Sequence, residues 1–295
     1  MNKNQKYFLD KSIDYTGKVC VVTGATGSLG FHIAYFLLSK NAEVILVGRN
    51  EEKLSKTNEK LNEFFPNKVL KTFICDSSNL KNIEELQRFL KSYEEIHYLF
   101  NNAGCYHMPV KMIGDHDITY VTNFISVIKL TIELCKHFPN LTVVQTTSLS
   151  YKFTKLNFDD LEFINKKSKM KRYSNSKRLL TLASLEIQKS LQNSIILAHP
   201  GVSATGLFNA SKGGFNKFFS SIIFPIMKLI FMKPEKAALS IALAPSFTYE
   251  KDSIIEPRGL FSVWGYPRKK VLSKRAFKAK EKDNILNIIH SFIDF

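Results

Sequence analysis

The chain is short of cysteine, of acidic residues and of unbroken apolar runs, and each shortage excludes something. Four cysteines, Cys20, Cys75, Cys105 and Cys135, are scattered through 295 residues. No Cys-x-x-Cys pair exists for metal or dithiol chemistry, so no metal site is expected. Cys20 and Cys75 lie in apolar, strand-like runs and read as buried free thiols. Asp and Glu total 26 against 42 Lys and Arg, a net charge of +16. Two readings of that charge stay open. It is a lysine-rich surface from a compositionally biased genome, or it attracts an anionic partner such as a phosphate-bearing ligand or an acidic membrane. No zinc-finger spacing or basic-region helix is present, so nucleic acid is not an expected partner. The first 19 residues hold no apolar run, and a secretory leader is not expected. The most apolar segment, Phe215 to Met232, is broken by Lys217, Pro225 and Lys228 and is too interrupted to span a bilayer. A reducing, cytoplasmic setting fits, and residues 1–295 read as a single domain without repeats or low-complexity linkers.

What is present is an alternating pattern. Lys18 to Thr23 is a β-branched run that ends in Gly24-Ala25-Thr26-Gly27-Ser28-Leu29-Gly30. A helical stretch, Phe31 to Lys40, and a second apolar run, Glu43 to Gly48, follow. Strand, glycine loop, helix and strand form the dinucleotide-binding βαβ unit. Glycines let the backbone approach a pyrophosphate, and the helix N-terminus offers free N–H groups and a positive dipole end. The end of the second strand selects the cofactor. An acid there would accept from a ribose 2′-hydroxyl. The residues are Arg49 and Asn50 instead, and Arg49 suits a 2′-phosphate, so NADP(H) is expected over NAD(H). The alternation continues with strands at Val69 to Ile74, ending at Asp76, and at Ile96 to Phe100, ending at Asn101-Asn102-Ala103-Gly104. Helices are expected over Asn79 to Tyr93 and Asp115 to Phe138. Such alternation implies an α/β fold, with a doubly wound parallel sheet covered on both faces and ligands beyond the strand carboxyl ends.

The motif Tyr-x-x-x-Lys occurs four times, at Tyr7/Lys11, Tyr151/Lys155, Tyr173/Lys177 and Tyr266/Lys270. Tyr7 falls in a polar leader, Tyr151 in a polar turn, and Pro267 spoils a helix after Tyr266. Only Tyr173 opens a long run with Leu179, Leu180, Leu182, Ala183, Leu185 and Ile187 behind it. Residues four apart share a helix face. A free tyrosine has a pKa of about 10, and an adjacent cation lowers it. The pair is therefore a candidate proton donor and acceptor.

Taken in order, Thr23-Gly24…Gly30, Asp76, the Asn-Asn-Ala-Gly loop, Ser148, Tyr173-x-x-x-Lys177 and Pro200-Gly201 resemble the short-chain dehydrogenase/reductase family over nearly the whole chain. The resemblance implies a Rossmann-type fold with about seven parallel strands, a nicotinamide cofactor and hydride transfer at an alcohol or carbonyl carbon. It implies that Ser148, after the strand Leu141 to Thr147, polarises the carbonyl oxygen. It implies that Tyr173 carries the proton, and that Lys177 lowers the Tyr173 pKa and holds the nicotinamide ribose. Asn123 would hold the water that links Lys177 to solvent, and Val202 and Thr205 would meet the nicotinamide end. Gly27 stands where the commonest form of the glycine loop has a different residue, a spacing closer to the family's extended branch.

Ser148 and Tyr173 are 25 residues apart, and the interval contains Leu156-Asn157-Phe158-Asp159-Asp160-Leu161. That segment looks like the retinol-dehydrogenase-like subgroup, which implies a lipophilic carbonyl or alcohol. By resemblance the region near 206–233 is a helical substrate lid. Its apolar density also suits a peripheral membrane contact or a homo-oligomer interface, and all three readings stand. His199 reads as a structural donor, Gly259 to Val263 as the last strand, and Glu281 to Phe292 as a terminal helix. Two rival functions remain: a sugar-nucleotide epimerase or dehydratase, and a non-catalytic NADP(H)-sensing binding protein.

Overall fold

The computed structural model describes residues 1–106, 109–164, 168–202, 232–272 and 279–292. Apolar, β-branched runs become strands because a parallel sheet buries both faces. Six strands run parallel: β1 (Val19–Thr23), β2 (Glu43–Gly48), β3 (Leu70–Ile74), β4 (Tyr98–Asn101), β7 (Thr142–Thr146) and β8 (Ile195–Ala198). Between β4 and β7 a small antiparallel hairpin pairs β5 (Met112–Ile113) with β6 (His116–Asp117). β9 (Ser253–Pro257) joins β8 in parallel, and β10 (Pro267–Val271) closes the edge antiparallel to β9. The order across the eight-stranded sheet is β10-β9-β8-β7-β4-β1-β2-β3.

Helices cover both faces. On one side lie α1 (Lys3–Lys11), α2 (Ser28–Leu38), α3 (Glu51–Phe64) and α8 (Pro234–Ala242), built around Phe8, Ile33, Leu37, Leu54 and Ile241. On the other lie α4 (Leu80–Lys91), α6 (Ser126–His137), α7 (Lys169–Ser190) and α9 (Ala279–Phe292), built around Leu86, Leu130, Leu182 and Ile285. A short α5 (Ile118–Tyr120) and a π-turn (Val121–Ile125) lead into α6. The run Ile118–His137 is long and apolar enough to cross a membrane, but 83% of it is buried within the protein, which makes it a core helix.

Several expectations are corrected. The sheet has an eighth strand, because the basic segment Pro267–Val271 pairs with β9 along its whole length. Gly259 to Val263 is a turn with a short 3-10 segment, Leu260–Ser262, and the last parallel strand lies earlier, at Ser253–Pro257. The polar leader is helix α1, capped by Asn2 and Gln5 and anchored by fully buried Phe8. Tyr151 lies in a short 3-10 turn, Leu149–Phe153, and is buried there. Thr205, and the lid segment near 206–233 apart from Met232 and Lys233, lie outside the described residues.

Candidate active site

The chain winds outward from β1 through β2 to β3, then returns to β4 and proceeds through β7 to β8. The switch point is the crevice between β1 and β4, where open α/β sheets take ligands. It is stitched tightly. The Thr23 hydroxyl accepts from the N–H groups of Asn102 and Ala103, both at 3.0 Å. The Asn102 amide donates to the carbonyls of Thr23 (3.0 Å) and Gly24 (3.3 Å). This closeness explains two glycines. A Cβ on Gly24 would stand 2.8 Å from the Ala103 Cα, and one on Gly30 would stand 2.3 Å from the Gly24 oxygen.

These features fit a dinucleotide. Helix α2 starts at Gly27 with no side-chain cap, whereas α3 and α4 are capped by Asn50 and Asn79. Gly27 and Ser28 are exposed, Thr26 is half-buried and Leu29 is packed beneath. The first N–H groups of α2 therefore face an open position that suits a phosphate. Arg49 is exposed at the end of β2 and makes no hydrogen bond or ion pair among the described residues. Asn50 is engaged as a cap, accepting from Lys53 N–H at 2.9 Å. Asp76, after β3, accepts from the backbone and hydroxyl of Ser78, each at 2.9 Å. Gly104 lies 3.6 Å, measured from its Cβ position, from the Lys177 ammonium nitrogen.

Helix α7 is buried almost all round. From Arg172 to Gln188 every residue is buried except Tyr173, which is partly buried. Ser148, at the carboxyl end of β7, lies by the Tyr173 phenol and favours its ionised form. Ser150 donates to the Ser148 oxygen at 3.1 Å, so the two neighbouring serines are distinct in role and linked. The Lys177 Nζ donates to the Thr146 carbonyl at 2.8 Å. Burial pushes the Tyr173 phenol up to about 12, with Ser148 working the other way. Burial also pulls Lys177 down to about 8. In the ligand-free protein, desolvation is the largest influence on both groups.

Asn123 sits in the π-turn and is fully buried. Its amide oxygen accepts from Cys105 N–H (2.7 Å), and its Nδ2 donates to the Cys105 carbonyl (2.9 Å) and the Ser176 hydroxyl (3.0 Å). It thus ties the loop after β4 to α7, a placement typical of π-turns at functional sites. Pro200, Gly201 and Val202 follow β8, and Gly201 sits at φ 76° against the Val263 carbonyl. His199 is structural in geometry: its Nδ1 accepts from Gly201 N–H at 3.0 Å.

Three neighbours escaped the sequence reading. The Tyr106 ring stands edge-on to Tyr173 at 5.3 Å, directly after the Asn-Asn-Ala-Gly loop that could have flagged it. Glu256 is fully buried on β9, and a lone acid within Ile254-Ile255-Glu256 was its signal. Asn175 is fully buried between Tyr173 and Lys177 on the opposite side of α7. It donates to the Leu161 carbonyl at 3.1 Å and accepts from the Thr154 hydroxyl. The Asn-Phe-Asp-Asp-Leu segment therefore braces the back of α7. Asn175→Leu would leave both partners unsatisfied and is expected to cost about 1–3 kcal/mol in urea unfolding. An unchanged midpoint would show that the brace carries no load.

A family model for short chain dehydrogenase matches residues 18–154, which span the glycine loop, Asp76, the Asn-Asn-Ala-Gly loop and Ser148. Over that stretch the chain resembles the short-chain dehydrogenase/reductase family. Its similarity to an uncharacterized oxidoreductase of Schizosaccharomyces pombe is 27% identity, covering 80% of this chain and 75% of that one. Human retinol dehydrogenase 13 is 27% identical, covering 75% and 70%. Human polyprenol dehydrogenase is 27% identical, covering 65% and 62%. In fold, a crystal structure of an uncharacterized Mycobacterium paratuberculosis protein superposes with TM-score 0.73 at 22% identity, covering 97% and 96%. A Burkholderia phymatum family member in complex with NAD gives 0.60 at 17% identity, covering 77% and 85%. One from Sphingobium yanoikuyae with NADPH gives 0.59 at 14%, covering 76% and 82%. The chain resembles the retinol-dehydrogenase-like members of that family, and the likeness supports oxidoreduction between CH–OH and C=O with a nicotinamide dinucleotide.

Proposed function

We propose that the protein is an NADP(H)-dependent oxidoreductase of a lipophilic carbonyl or alcohol. The observation that carries this reading is the gathering of Ser148, Tyr173 and buried Lys177 at the strand ends that also bear the glycine loop. A bound nicotinamide supplies or accepts the hydride. Thr26, Gly27, Ser28 and the first turn of α2 would hold its pyrophosphate, Arg49 its 2′-phosphate, and Asp76 and the Asn102–Gly104 loop its adenosine side. Lys177, Gly201 and Val202 would border the nicotinamide ribose.

Ser148 donates to the substrate oxygen as negative charge develops there. Tyr173, protonated at neutral pH, delivers its proton to that oxygen. Asn123 fixes the Cys105 loop against Ser176, and proton return passes by that junction. Residues 1–295 act as one domain in this reading, with the region near 206–233 over the substrate, in a reducing cytoplasmic setting. Relatives named retinol and polyprenol dehydrogenase support a lipophilic substrate.

The test is consumption of NADPH and of NADH against carbonyls of graded chain length and ring count. Turnover should rise with lipophilicity and favour NADPH. Arg49→Asp should weaken NADPH by roughly tenfold or more, the worth of a charge-assisted hydrogen bond. Equal use of both cofactors by the wild type, or turnover of polar carbonyls alone, would refute the specific reading.

A further inference from the structure

Between β9 and β10 the chain makes a tight loop, residues 258–266. Its base is closed by Arg258 N–H to the Tyr266 carbonyl (2.8 Å) and Gly259 N–H to the Trp264 carbonyl (2.6 Å). The tip carries Leu260, 63% exposed, Phe261, 77% exposed, and Trp264, 43% exposed. Phe153, on the turn after Ser148, is 76% exposed. The tip is also strained: Phe261 and Ser262 both sit at positive φ, 52° and 60°. A bulky residue in that region is costly, and such placements persist only where the surroundings hold them. Here they are held. Ser262 N–H donates to the Gly259 carbonyl at 2.9 Å, its side chain lies by Glu256, and the Val263 carbonyl accepts from Val202 N–H at 3.0 Å. Among the described residues, a loop that spends strain to aim a phenylalanine outward gains no burial.

The surroundings are basic. Glu256 is approached by Lys152 Nζ (3.3 Å), Arg268 Nη2 (3.3 Å) and Lys270 Nζ (3.4 Å), and Arg258 is exposed at the base of the loop. Three cations face one buried carboxylate, and Arg258 adds a fourth positive charge nearby. Lys152 precedes Phe153 and shares Glu256 with Ser262, so the two apolar turns flank one charged anchor. Apolar side chains at a tip, a tryptophan beside them and cations behind match the layers of a bilayer surface: acyl boundary, headgroup level and anionic charge. A second copy of the chain, meeting this patch about a two-fold axis, would set the same cations against themselves.

We propose that the loop 258–265, together with Phe153, is a membrane-docking surface for an anionic lipid bilayer. The inference stands apart from the reaction assigned above, since its readout is binding and not turnover. Trp264 is the chain's only tryptophan, so its emission reports the loop without a label. Full-length protein titrated with phosphatidylcholine vesicles containing phosphatidylserine should show a blue shift of that emission and should sediment with the vesicles. Phosphatidylcholine alone should bind about tenfold or more weakly. The double variant Leu260→Ser with Phe261→Asn should lose about tenfold or more in vesicle affinity. Its Tm should stay level or rise, because asparagine tolerates positive φ better than phenylalanine does. Arg258→Glu should weaken binding to the anionic vesicles only. Vesicle binding unchanged in the double variant, or absent in the wild type, overturns the proposal. So does a wild-type dimer that the double variant dissolves with no lipid response, which would make the loop a subunit interface.

Discussion

Tyr173→Phe is expected to reduce turnover by about 10²–10⁴-fold, the usual contribution of a positioned general acid. Dinucleotide affinity should stay near that of the wild type. Phenylalanine keeps the ring's place on α7 and its edge-on contact with Tyr106, and it removes only the hydroxyl near Ser148. The glycine loop and the uncapped start of α2 are untouched. Burial holds the phenol up to about 12, so in the cofactor-free protein it is protonated throughout the neutral range. That state suits carbonyl reduction, where a proton is donated. Alcohol oxidation needs the phenolate, so its rate should climb with pH while reduction stays level through neutrality. Paired assays of turnover and of dinucleotide binding by fluorescence decide the matter. A variant within a few-fold of wild-type turnover would remove Tyr173 from the proton path. Wild-type protein that binds dinucleotide yet turns over no carbonyl would favour the sensing role instead.

The parallel core was legible because its physics is local. A strand buried on both faces is a continuous β-branched run, and Cys20-Val21-Val22 and Val44-Ile45-Leu46 are such runs. Glycine and asparagine at their ends mark where the backbone turns, and that is where the crevice lies. The edge was not legible. Pro267-Arg268-Lys269-Lys270-Val271 reads as a solvated basic stretch, and charge on an edge strand is how sheets avoid pairing with another chain. Leu260-Phe261-Ser262-Val263 has the apolar character of a strand, but two residues at positive φ fold it into a turn, and no strand propensity anticipates them. Helix α1 depends on distant partners: Phe8 stacks on Phe36 at 4.7 Å, and Asn2 donates to Glu235 at 2.7 Å. The chemistry of the Tyr173/Lys177 pair was legible as identity and spacing only. The sign of each pKa shift depends on how much water the fold removes, and α7 is drier than an amphipathic surface helix would be. Asn175 stood in plain view inside the motif, but its partners at Leu161 and Thr154 come together only when the intervening segment folds back on the helix.

That dryness sets up the second large effect. Lys177→Met is expected to abolish the proton-transfer site while making the cofactor-free protein more stable at pH 7 by roughly 2 kcal/mol. Burial pulls the lysine from an ordinary 10.5 to about 8, so the folded state disfavours the charge that the unfolded chain carries freely. At about 1.36 kcal/mol per pKa unit this penalty is roughly 3 kcal/mol below pH 8. The hydrogen bond to the Thr146 carbonyl returns about 1 kcal/mol, and methionine forfeits it. The pH dependence carries the sign. Between about 8 and 10.5 the unfolded chain binds a proton that the folded lysine has released, so this group's penalty fades as pH rises through that window. The wild type should therefore gain stability there relative to Lys177→Met, and the two urea-unfolding curves should converge toward the alkaline end. A variant that is less stable at neutral pH, or a constant gap across the window, would mean that Lys177 is solvated in the cofactor-free protein. The stored penalty has a functional use: an anionic, hydrogen-bonding ligand placed beside the buried ammonium recovers it on binding, which ties charge at Lys177 to occupancy of the crevice.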